Sequence, residues 1–166
     1  MSDQHLQQLR DRLGLDRHRP STDEATNPIQ GLTDLVADLA GWVPFRVDDL
    51  ADASPPSTHA FVRPADREND DTVFRIDMYE LPSAAEAHEH LVRVLADFQS
   101  PQLAVLDAEG IGDVAVGHGE TALVARRHNV VFVVRNAGDV IAPVLDLGRA
   151  VDRAIDRRAG QQGQGG

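Results

Sequence analysis

Residues 110–121, GIGDVAVGHGET, gather four glycines, an aspartate and a histidine into twelve positions. A glycine-rich loop holds a phosphate when a strand leads into it and a helix opens directly behind, so that the helix N-terminus receives the anion. Here a β pattern rich in Thr, Val and Ala follows instead. The spacing of Gly110, Gly112, Gly117 and Gly119 fits neither the dinucleotide nor the Walker pattern, and the P-loop lysine is missing. The stretch is expected to consist of turns and bulges that need positive φ, a flexible approach to a buried hairpin. Asp113 and His118 are its chemical content, and with Arg126 and His128 across the hairpin they form a candidate ligand-binding corner.

His88 and His90 sit two apart on a helical pattern, about 200° from each other, and so do not chelate one ion together. A metal site would need one of them to meet His118 or His128, with Glu89 or Asp113, in a donor set suited to zinc or another first-row divalent ion. No HExxH spacing is present, so the histidines read as surface or capping residues and no metal or cofactor is expected. Ser57 and His59 with one of many aspartates could make a hydrolytic set, but no GxSxG elbow occurs, and neighbours such as Asp70 and Asp71 carry no information in so acidic a chain. Four strand arginines, Arg63, Arg75, Arg126 and Arg135, could gather on a wet sheet face as a site for a carboxylate or phosphate. The competing expectation is that they pair with Asp77 and Glu80 across the same sheet.

Missing residue types exclude more. Without cysteine there are no disulfides, thiolate zinc sites or cysteine nucleophiles, and without lysine there is no Schiff-base chemistry. Twenty-seven acidic residues against sixteen arginines give a formal net charge of −11, which disfavours nucleic acid and anionic membrane surfaces as partners. Arginine in place of lysine is expected from a GC-rich genome, with avoidance of lysine acylation or tagging as the alternative, and the acidic surface fits a salt-adapted cytoplasm, where self-repulsion is screened. The polar opening stretch has no signal-peptide pattern, so a cytoplasmic location is expected.

These residues must be positioned by elements whose periodicity can be read. Residues 2–13 form an amphipathic helix, with Leu6, Leu9 and Leu13 on one face and Gly14 as its stop. Residues 15–26 read as a linker, which makes 1–14 a detachable arm. A second helix is expected from Asn27 and Pro28 to Gly41, followed by an edge strand at 42–47 around Pro44. Strands follow at 59–64 and 72–81, the latter alternating Phe74, Ile76 and Met78 with Arg75, Asp77 and Tyr79. Ser83 and Glu86 form a capping box for a helix to about 99. Short strands at 103–107, 121–126 and 130–136 precede a last helix from about 143, and the continuous apolar run at 130–134 implies cover on both faces. Residues 159–166 read as a disordered tail. The terminal GG is reminiscent of ubiquitin-like modifiers, but it leaves a helix rather than a strand.

The outcome is a single α+β domain over 27–158 with one antiparallel sheet of about five strands, in the order α-(α)-βββ-α-ββ-α. That element order resembles the small acidic class I chaperones of type III secretion. The resemblance implies a homodimer that binds a partner segment on apolar grooves and edge strands, without catalysis. The expected function is therefore a non-catalytic protein-binding or assembly module whose partner is another protein or a second copy. Its expected contacts are Leu6, Leu9, Leu13, Trp42 and Phe45. The alternative is a small ligand- or metal-binding enzyme domain using the 110–128 corner.

Overall fold

The computed structural model describes residues 2–20, 28–66, 71–106 and 110–164, with side chains to Gln161. Its elements run α1 (Asp3–Leu13), a 3₁₀ turn (Leu15–His18), α2 (Leu32–Ala37), β1 (Trp42–Leu50), β2 (Ser57–Pro64), β3 (Phe74–Glu80), α3 (Ala84–Phe98), β4 (Leu103–Val105), β5 (Val114–His118), β6 (Ala122–Arg127), β7 (Val130–Asn136) and α4 (Leu145–Gln164). All seven strands join one antiparallel sheet in the order β1-β2-β3-β7-β6-β5-β4. The α+β class holds, but the expected strand number and order are corrected: four strands, not two, follow α3. The order on which the secretion-chaperone resemblance rested is therefore not the one found.

The chain crosses from β3 through α3 to the far edge at β4, then meanders back until β7 pairs with β3. This closure makes β7 the centre of the sheet. Val130, Val131, Phe132, Val133 and Val134 are all buried, alternately toward the two faces. One face carries α2 and α4 over Phe74, Ile76, Leu123 and Phe132, with Leu147 and Ile155 of α4 packed in. The other carries α3 over β6 and β7, with α1 laid against α3 and β4.

Local signals placed most boundaries. Ser83 caps α3 by accepting from the Glu86 N–H, and Gly14 (φ 64°) ends α1 by donating to Arg10 and Asp11 carbonyl oxygens. Four expectations are corrected. Asn27 lies outside the described residues, and α2 starts only at Leu32, after Gly31 in the left-handed region (φ 77°), while the buried Asn129 amide ties down Ile29, accepting from its N–H at 2.8 Å and donating to its carbonyl at 3.1 Å. The glycine stretch contains strand β5, which sequence reading did not assign; Gly117 sits within it because Leu106 packs where a Cβ would stand. Helix α4 continues to Gln164, into the stretch read as a tail. Residues 15–20, read as linker, begin with the fully buried Leu15.

Candidate functional site

The corner at 110–128 is a closed network. Gly112 turns at φ 67°, and a Cβ there would stand 2.7 Å from the Arg126 carbonyl oxygen. The turn sets Asp113 against the end of β6, where its carboxylate accepts from Arg126 at 3.3 Å, Arg127 at 3.4 Å and the His128 backbone N–H at 2.8 Å. Arg126 is buried and also donates to the His128 and His18 carbonyl oxygens. Arg127 grips Asp152 of α4 through two bonds of 2.7 and 2.8 Å, which raises the pKa of its guanidinium further. His128 Nε2 lies 3.4 Å from Asp156. His118 is at the opposite end of β5, beside Phe98, so the four candidate residues do not converge. The groups that do meet bond to each other and fasten the β6–β7 turn to α4.

His88 and His90 part as helical geometry requires. His88 is buried in the α3 core with neither ring nitrogen hydrogen-bonded, and burial, reinforced by Arg126, lowers its pKa to about 4. His90 lies beside the Tyr79 ring at 4.8 Å, its pKa lowered mainly by burial. No group of three metal-ligating side chains forms among the described residues.

The leucines assigned to a partner are engaged within the chain. Leu9 and Leu13 are buried with Leu91, Leu95 and Leu103, and Leu6 packs at their edge. Arg10 pairs with Glu89 across the same contact. α1 is thus docked on α3 rather than displayed, because α3 offers it an apolar stripe as long as its own. Trp42 packs edge-on against Phe74 at 5.4 Å on the α2/α4 side, half-buried. Phe45 alone of the five stands out from the surface, 46% exposed.

Phe45 belongs to the one large part of the sheet without helical cover. On the α3 side, the described helices pack on β4, β6 and β7 and leave β1 and β2 bare. Strand alternation brings His59, Phe61 and Arg63 of β2 and Arg75, Asp77 and Tyr79 of β3 to this open face, with Arg135 from β7. A register shift between Pro44 and Arg46 turns both Phe45 and Arg46 the same way. Asp77 is buried beneath the layer: its carboxylate takes His59 Nδ1 at 2.5 Å, Arg75 Nε at 2.9 Å and Arg135 at 3.3 Å. Tyr79, half-buried, has its phenol pKa raised by desolvation first and the Asp77 charge second.

Above the carboxylate, arginines lie over rings. Arg63 covers Phe45 at 4.5 Å, Arg46 and Arg75 flank Phe61 at 5.8 and 5.9 Å, and Arg135 covers Phe98 at 5.9 Å. All the cation–π contacts among the described residues fall here. Arg63, Arg75 and Arg135 are three of the four strand arginines singled out by sequence; Arg126 is on the same side of the sheet but buried at the distant corner. Both expectations for the three meet in one place, since Arg75 and Arg135 pair with Asp77 and still reach solvent. Glu80 takes no part in this cluster. Sequence reading missed Arg46, Phe61 and Tyr79 as site residues, although the alternation of β2 and β3 already placed the last two beside Arg63 and Arg75.

Fold and surface together define an α+β protein with one antiparallel seven-stranded sheet, helical cover on both faces of one half, and an arginine–aromatic surface on the other. No protein-family model, curated protein or solved structure matches the chain.

Proposed function

We propose that this protein is a non-catalytic protein-binding module and that its contact surface is the open face of β1–β2–β3. The observation that carries the reading is the distribution of exposed large apolar side chains. Among the described residues there are six, and four of them, Val43, Phe45, Val47 and Leu50, lie on β1. Val43, Phe45 and Leu50 face the uncovered side by register, opposite or beside Arg63, Phe61 and Ser57. Grouped exposed apolar residues rimmed by polar ones mark interaction surfaces, and aromatic and arginine side chains are the types enriched at such contacts.

Contact through the face is favoured over strand addition at the β1 edge. Pro44, the bulge beside it, and the charges of Arg46, Asp48 and Asp49 are devices that keep an edge strand from pairing with another chain. The docked α1 arm is not needed for binding in this reading; it completes the core. The alternative at the 110–128 corner has less support, because its carboxylates and guanidiniums already bond to one another. A photo-crosslinking residue in place of Phe45, introduced in the source cells, is expected to trap a second protein or a second copy of this chain. The same group at Ile141, exposed in the connection between β7 and α4, is the control. Absence of a Phe45 adduct, or equal trapping from both positions, overturns the proposal.

A further inference from the structure

We infer that the open face receives an acidic segment of the partner protein, an extended stretch that carries both carboxylates and apolar side chains. The inference rests on the binding reading above and adds the chemistry of what is bound. Its first support is charge complementarity. Arg46, Arg63, Arg75 and Arg135 share this face with Asp48 and Asp77, and the rim of α3 adds Arg93 and Asp97, one charge of each sign. In a chain of net charge −11 this is a local excess of positive charge.

The second support is how the charges are layered. Asp77 is 1% exposed, whereas the side chains of Arg75 and Arg135 that it holds are 41% and 44% exposed. The carboxylate is therefore hidden from an incoming ligand, and it fixes two guanidiniums by one edge each while their other N–H groups point outward. Arg63, stacked on Phe45, has no acidic partner among the described residues. A planar guanidinium that is already oriented loses less freedom on binding a carboxylate, so the face is preorganised for anions. The four arginines come from four adjacent strands, a span of about 14 Å at about 4.8 Å per strand, which matches some four residues of extended chain. Phe45, Phe61 and Val43 supply apolar contact between the charges. A nucleic acid would also find arginines and rings here, but its many phosphates would be repelled by the rest of a strongly acidic surface.

The test follows the arginine Nε–Hε signals of the full chain by NMR while a peptide of about six residues, two glutamates, two phenylalanines and two glutamates in that order, is added, so that either side of the extended peptide presents both carboxylates and a ring. Saturable shifts are expected at Arg46, Arg63 and Arg135 and not at Arg157 of α4, with half-saturation at least about tenfold below that of free glutamate. Arg63→Gln should raise that half-saturation by about fivefold or more, while leaving the urea midpoint of unfolding unchanged. Equal binding of a peptide with lysine for glutamate, tighter binding of a single-stranded oligonucleotide, free glutamate matching the peptide, or shifts at Arg157 as large as at Arg63 would each overturn the inference. If Phe45 still crosslinks a protein in cells when the acidic peptide fails, the face is a binding surface and only the partner chemistry proposed here is wrong.

Discussion

Asp77 and Asp113 each gather two arginines and one histidine group, the His59 imidazole at Asp77 and the His128 backbone N–H at Asp113, at two places on one sheet. Their layering is opposite. At the corner the cation is inside and the anion outside: the Arg126 side chain is 3% exposed and Asp113 33%. On the open face the anion is inside and the cations are outside. A buried guanidinium bonded to backbone carbonyls serves the fold, because its donors are used inward. A buried carboxylate beneath exposed guanidiniums leaves donors facing solvent. Identical residue types thus yield a fastening in one half of the sheet and a layer of solvent-facing guanidiniums in the other, and helical cover decides which.

Removing the buried carboxylate of the open face is the strongest way to test the contrast. Asp77→Ala removes three hydrogen bonds to a buried carboxylate, from Arg75, Arg135 and His59, and should cost about 3–5 kcal/mol in urea unfolding. A loss below about 1 kcal/mol would show that the cations relax into solvent without it. The apolar residues divide the same way. Leu15, fully buried beneath the α1–α3 contact, should cost about 3 kcal/mol as Leu15→Ala, whereas Phe45→Ala on the open face should stay within about 0.5 kcal/mol. Comparable losses at the two sites would mean that Phe45 supports the fold rather than a partner.

A pH dependence of roughly 3 kcal/mol at most should mark the covered half. His88 binds its proton at about pH 4 in the folded chain against 6.5 in the unfolded one, so its contribution is complete above pH 6.5. It is lost as pH falls from there and levels off below about pH 4, since the unfolded state takes up the proton first. His90 shifts in the same direction. The difference between His88→Leu and the parent, followed by urea unfolding at several pH values, isolates this effect from the carboxylates. A difference that does not change with pH would refute it. The smallest effect separates two glycines of one motif: Gly112→Ala adds a clash to a strained φ and should cost about 2 kcal/mol or more, whereas Gly119→Ala, with open space around it, carries only the φ strain of about 1 kcal/mol.

The parts of this molecule that were legible in the sequence are those fixed by local patterns. The Ser83 cap, the run at 130–134 and the alternation of Phe74, Ile76 and Met78 each state their own geometry. β5 was hidden because glycines flank and interrupt it, and the sequence does not show that Leu106 would fill the space above Gly117. The segment leading into α2 is tied down by Asn129, a hundred residues away from Ile29. The open face was half legible: residues within β2 and β3 could be assigned to one side. Its lack of cover follows from where α3 deposits β4, and the burial of Asp77 depends on Arg135 arriving from β7. These are consequences of topology, which no window of neighbouring residues contains.

If the open half of the sheet is a binding surface, a partner covers it when the protein is at work. Hydroxyl-radical footprinting tests it directly, by comparing side-chain oxidation of the purified chain with that of the same chain in an extract of its source cells. Phe45 and Phe61 should be oxidised several-fold more slowly in the extract, after normalisation to Ile141, which is 74% exposed in the connection between β7 and α4. Phe45 and Phe61 oxidised at the same normalised rate in both samples would contradict the account.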